Sequence, residues 1–98
     1  MFDMMKMMGK VKEVQSKMKE AQDQLKDLRV EGESGGGLVK AVANGNKELL
    51  DLRIDDSLVN ATDKDMMRDL IVAAVNKTIA EADAMERAYQ EIKRRNAP

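Results

Sequence analysis

Apolar side chains recur at Met4, Met7, Val11, Val14, Met18, Ala21, Leu25 and Leu28, in alternating steps of three and four. That spacing predicts a long amphipathic helix with a coiled-coil seam. The rhythm returns at Ile71, Val75, Thr78, Ala82, Met85, Tyr89 and Ile92, so two helical seams flank a shorter, glycine-bearing middle. Each seam needs a cover: the other helix, a partner, or both.

With 98 residues there is room for one small domain, and a chain this short buries a modest share of its surface, so oligomerisation is expected. Phe2 and Tyr89 are the only large rings, while 36% of the residues are charged. Packing therefore has to come from Leu, Ile, Val, Ala and Met. The chain has neither Cys nor His, which removes thiol chemistry, disulfides, imidazole catalysis and most zinc sites. Asp55, Asp56, Asp63, Asp65 and Asp69 match no calcium loop. They fall where a strand gives way to a helix, a place the helix dipole favours for carboxylates. A non-enzymatic protein is expected, with no catalytic residue, metal, cofactor or small-molecule substrate. Asp3, Lys6 and Lys10 interrupt the methionine-rich start before a signal-peptide core can form. No apolar stretch approaches the roughly 20 residues that span a bilayer, so a cytoplasmic protein without a membrane partner is expected.

The first helix is placed at about Asp3 to Leu28, roughly 39 Å at about 1.5 Å per residue. Strands are placed at Arg29 to Ser34, Gly37 to Ala43 and Asn46 to Asp55, and Asn44-Gly45 marks a hairpin between the last two. A two-residue type I′ loop there would set Ala43 opposite Asn46, Ala41 opposite Glu48 and Val39 opposite Leu50. One face then carries Val39, Ala41, Ala43, Leu50, Leu52 and Ile54. The other carries Leu38, Lys40, Val42, Leu49, Asp51 and Arg53. The first face reads as core, and the second is mixed enough to meet another subunit. The second helix begins near Thr62 or Asp63, with Thr62 as a candidate cap and Asp65 three positions on, and runs to Arg95. The fold class is α+β: one α-β-β-β-α domain over residues 1–98, with a helix at about 3–28, an antiparallel three-stranded sheet at 29–55 and a helix at 63–95.

Gly32-Glu33-Ser34-Gly35-Gly36-Gly37 resembles a phosphate cradle at first sight. A P-loop would continue into Lys-Ser/Thr at a helix start, whereas here Leu38-Val39-Lys40 opens another strand, so a turn or bulge between strands is the better reading. Charge is more informative. The total is -1, yet residues 1–12 hold Lys6, Lys10 and Lys12 against Asp3, and residues 87–98 hold Arg87, Lys93, Arg94 and Arg95 against Glu91. Both ends are basic and the middle is acidic. If both helices leave one sheet in the same direction, the two basic ends meet at the tip of an arm, where they can neutralise phosphates. Cations near a helix C-terminus also simply complement its dipole.

Several blocks, in order and at consistent distances, closely resemble the YbaB/EbfC family of bacterial nucleoid-associated proteins. They are Gly32-Glu33-Ser34-Gly35-Gly36-Gly37-Leu38-Val39-Lys40, Asn44-Gly45, Ile54-Asp55 with Leu58, and Asp69-Leu70-Ile71-Val72-Ala73-Ala74-Val75-Asn76. The resemblance covers about Phe2 to Ile92. It implies a tweezer-like homodimer with a hub at Leu38, Val39, Val42, Leu50 and Leu52. It also implies duplex DNA at the arm tips, contacted by Lys6, Lys10, Lys12, Arg87, Lys93, Arg94 and Arg95, a nucleoid location, and a part in nucleoid organisation and gene regulation. This chain departs from the family pattern at Lys77-Thr78 and at Met66-Met67-Arg68, and the Gly/Pro/Met-rich tail common in relatives is missing. The competing reading is a prefoldin-like holdase gripping clients through Met4, Met5, Met7 and Met8, or a helical adaptor whose seam recruits another helix.

Overall fold

The computed structural model describes residues 2–59 and 62–96, with side chains of the first helix described from Met7 onward. The elements are α1 (Phe2–Asp27), β1 (Arg29–Ser34), β2 (Val39–Asn44), β3 (Leu49–Ile54), α2 (Asp56–Val59) and α3 (Lys64–Arg95). The strands form one antiparallel sheet in the order β1-β2-β3. Helix α1 stops where Arg29 turns back and donates from Nη1 to the carbonyls of Lys26 and Leu28 at 2.9 and 3.2 Å. Those carbonyls would otherwise lack partners at a helix end.

The β1–β2 turn holds Gly35, Gly36 and Gly37 in succession at φ 63, 69 and 96, a left-handed run that side chains resist. The second hairpin departs from the type I′ reading. Asn44 closes a longer loop: its N–H donates to Glu48 O at 3.0 Å, and its Oδ1 accepts from the amides of Asn46 and Glu48 at 3.0 and 3.1 Å. The left-handed residue is Lys47 at φ 65, not Gly45. Pairing is accordingly Val39↔Ile54, Ala41↔Leu52 and Ala43↔Leu49, with an irregularity between Val42 and Ala43 that leaves Leu50 without an opposite number. The shift between Val39 and its partner is an even number of residues, so Val39, Ala41, Leu52 and Ile54 keep their common face. Leu50 does not join it and is 46% exposed.

Helix α3 lies across β1 and β2 and scarcely reaches β3. Its contact stripe is Ala74, Thr78 and Ala82, all completely buried and four residues apart, on one helix face. Small side chains let the helix approach closely. A Cβ at Gly32 of β1 would lie 2.3 Å from Thr78 Oγ1, so that strand position has room for glycine alone. The Thr78 hydroxyl is satisfied by Ala74 O at 2.7 Å, which removes the cost of burying it. One core cluster gathers Val39, Ala41, Leu58 and Ala74, and a second gathers Val30, Ala43 and Ala82. Leu58 comes from α2, a helix of 4 residues that the sequence reading passed over. Asp55 starts it by accepting from the Ser57 amide at 2.9 Å. The cap of α3 is Asp63, accepting from Met66 N–H at 2.9 Å, in place of Thr62.

Overall dimensions are 71 × 22 × 17 Å, with a radius of gyration of 19.8 Å; a compact domain of this length would have about 13 Å. The elongation comes from the helices. Along α1, Met7, Val11, Val14 and Met18 are all more than half exposed, whereas Leu25 is buried. The two seams therefore share a fate only near the sheet: that of α3 is covered by strands as far as Ala82 and Met85 and is open at Ile92, and that of α1 is covered in its last two turns and open beyond them.

Candidate nucleic-acid interface

The last turn of α3 presents Lys93, Arg94 and Arg95, all exposed. Arg94 and Arg95 share one carboxylate, Glu91, at 3.2 and 3.4 Å. Arg87 pairs one turn back with Asp83 at 2.7 Å. Lys93 Nζ stands 5.5 Å from the Tyr89 ring centroid, a cation–π distance, and the Tyr89 hydroxyl donates to Gln24 of α1. Exposed ion pairs of this kind contribute about 0.2–1 kcal/mol, too little to hold a guanidinium away from a phosphate. Within residues 91–95 three cations face one acid, so positive charge is left over.

The two basic ends are staggered. Lys93 lines a shallow groove with Val14, Lys17 and Met18, the middle of α1 rather than its start. Lys10 and Lys12 are exposed further out along α1, Lys10 about 10 Å beyond Lys17 at about 1.5 Å per residue. The side chain of Lys6 lies outside the described residues, as do those of Met4 and Met5. Lys17, which sequence reasoning left out, forms a basic ridge with Lys10, two turns away on the same helix face, and pairs with Glu13 at 3.3 Å. Its signal was its spacing of seven residues from Lys10, which puts both on one face of the helix.

At the base of the arms a second basic residue escaped notice. Lys47, in the β2–β3 loop, places Nζ 3.3 Å from Asp83 and 3.2 Å from Glu86 of α3. Its hydrogen bonds to Glu86 and then to Asp83 raise the amine's pKa. The Lys47 hydrogen bond, followed by the charge of Arg87, lowers that of Asp83. The two cations at the family-divergent positions are also engaged. Arg68 sits between Asp65 and Asp69 at 3.4 and 3.9 Å, and Lys77 donates to Glu33 O at 3.3 Å. They do not extend the ridge.

Of the expected hub positions, Val39 is completely buried inside its own chain, so it stiffens the sheet from within and has no surface to offer a second copy. Leu38, Val42 and Leu52 are half-buried. Leu49, Leu50 and Val59 are exposed beside β3, the strand α3 leaves almost bare. Among the described residues no helix is long and apolar enough to cross a membrane, and no group of three His, Cys, Asp or Glu side chains is placed to hold a metal ion.

A small sheet bearing two helical arms, with cations gathered along their outer reaches, is an architecture suited to a long polyanion. The chain belongs to the YbaB/EbfC DNA-binding family, whose model matches residues 1–94. A nucleoid-associated protein of Agrobacterium fabrum is 47% identical over 89 residues, covering 89% of this chain and 83% of that one. One from Chlorobaculum tepidum is 47% identical over 88 residues, covering 90% and 76%. Among solved structures, an uncharacterized protein from Helicobacter pylori superposes with a TM-score of 0.66 at 29% identity, covering 80% of this chain and 90% of that one.

Proposed function

We propose that this chain is a non-enzymatic nucleoid-associated protein of the cytoplasm that binds duplex DNA as a homodimer, alters its conformation and serves nucleoid organisation and gene regulation. The observation that carries this reading is the net positive end of α3, where Lys93, Arg94 and Arg95 outnumber their acid Glu91, beside Lys17 of α1 with Lys10 and Lys12 further out along that helix. Both stand on a rod long enough to reach a duplex from a separate hub. Phosphate contacts position the protein and base readout is slight. Sequence preference then comes from duplex shape and bendability. The second copy adds at the bare β3 edge, where exposed Leu50 and the half-buried Leu38, Val42 and Leu52 are the positions available to the hub. Family membership and the names of the relatives support the DNA reading.

The test is affinity for duplex DNA across ionic strengths, where log K falls against log salt by about 0.9 per neutralised phosphate. Charge reversal of Lys93, Arg94 and Arg95 together reduces both the affinity and that slope. A flat salt response in the parent chain overturns the reading. The open stripe of Met7, Val11, Val14 and Met18 favours a client-binding reading instead. For a holdase, the charge reversal leaves suppression of client aggregation intact and replacing the stripe with polar residues abolishes it. Mass in solution decides the dimer.

A further inference from the structure

The β2–β3 loop touches both arms at once. On one side Gly45 N–H donates to Leu25 O at 2.9 Å, and Asn46 Nδ2 donates to Gln22 O at 3.1 Å, both on the last turns of α1. On the other side Lys47 reaches Asp83 and Glu86 of α3 at 3.3 and 3.2 Å. The loop itself is stiffened by the Asn44 side chain, which takes up two of its amides and donates to Glu48 Oε1 at 3.0 Å. Lys47 adopts φ 65 to make its reach, a conformation that side chains avoid unless the surroundings hold it. Three consecutive residues of one short loop thus face two helices whose shared seam covers only their inner turns.

We propose that this loop is a clasp that sets the angle between the two arms, with Lys47 as a positioning residue for DNA binding. The proposal rests on the DNA-binding reading above. Lys47 fixes where Lys10 and Lys12 stand relative to Lys93–Arg95, without touching the duplex itself. The Asp83 and Glu86 carboxylates that receive it face the arms' base, so the clasp also keeps two acids occupied close to the cationic ridge.

The absence of cysteine from the natural chain allows a direct test. Spin labels are attached at Ser16→Cys on α1 and Ala84→Cys on α3, both exposed. Their separation is read by pulsed electron resonance on the full-length protein diluted into an excess of unlabelled chains. The parent gives one narrow distance distribution. Lys47→Met broadens it and weakens DNA binding about fivefold, as the population with correctly placed arms falls, while the log–log salt slope stays unchanged. Lys47→Arg restores both readouts. Asn46→Ala, which cuts the α1 side of the clasp, broadens the distribution too and keeps the test decisive should Lys47→Met fail to fold. An unchanged distribution in both variants overturns the proposal. So does a slope that falls by about 0.9, the signature of a lost phosphate contact. Because the distances are measured without DNA, failure of the parent to bind DNA would count against the function and leave the arm geometry readable.

Discussion

The backbone N–H of Gly45 donates to the carbonyl of Leu25 across 2.9 Å, and a Cβ at Gly45 would come within 2.7 Å of that same oxygen. The glycine is there for proximity, since its φ is not left-handed. Gly45→Ala therefore pushes α1 off the loop. Crowding of this kind costs about 1–3 kcal/mol, and each kcal/mol lowers Tm by about 4–8 °C in a domain of this size. Thermal unfolding followed by circular dichroism reads the loss. Gly9 is the control: a Cβ there meets nothing within 4 Å, and Gly9→Ala in mid-helix stabilises by about 0.5–1 kcal/mol.

A sharper steric case is Gly32 under Thr78. Gly32→Ala is expected to be the more damaging glycine substitution, because the new methyl meets Thr78 Oγ1 at 2.3 Å with the Thr78 backbone N at 3.0 Å behind it. Thr78→Ala removes the hydroxyl but not the backbone, so the double variant recovers only part of the loss. A double-mutant cycle by urea denaturation gives the coupling. Full additivity would show that the two residues do not meet.

Among the described residues, Glu91 is the acid that Arg94 and Arg95 share. Glu91→Gln raises the net charge of residues 91–95 from +2 to +3. Duplex affinity at low salt is expected to increase severalfold, with a salt slope steeper by up to about 0.9. A filter-binding series across salt decides it, and no change would place the end of α3 away from the DNA.

The Lys47–Asp83 pair has a defined pH window. Asp83 is held below its ordinary 3.8 first by the Lys47 hydrogen bond, so its contribution is present above that value and disappears as pH falls through the lowered one. Lys47 is held above its ordinary 10.5 first by the Glu86 hydrogen bond. Its contribution is complete below that value and disappears as pH rises through the raised one. In urea titrations Asp83→Asn should fall short of the parent by most between roughly pH 5 and 9, and the gap should close in acid.

Element types and their order were legible because the 3.6-residue and two-residue periods differ so clearly here. Asn44-Gly45 misled because its usual role depends on two left-handed residues, and the chain spends Asn44's side chain on the loop amides and Gly45 on contact with α1. That added loop length moved the pairing of β3 and left Leu50 at an irregularity no periodicity announces. The α2 helix escaped because one buried side chain, Leu58, sets no period. The cationic residues were readable, but their relative placement was not. All 26 residues of α1 run outward from the sheet, whereas only the part of α3 past Ala82 does so, and chain order alone cannot say that a seam such as that of α3 is used up on strands. Lys47 was unreadable as a site because its partners lie on another element, 36 and 39 positions away.

Among the described residues, the hydrogen bonds that fasten helix α1 to the rest of the chain all lie in its final turns, and leverage follows. From Leu25 to Lys10 is about 22 Å of rigid helix at about 1.5 Å per residue. A swing of ~10° about that fastening carries Lys10 through ~4 Å, more than the roughly 3.4 Å rise per phosphate along one strand of a duplex. The tightness of a few contacts near Leu25 thus selects which phosphate a lysine about four helical turns away can meet.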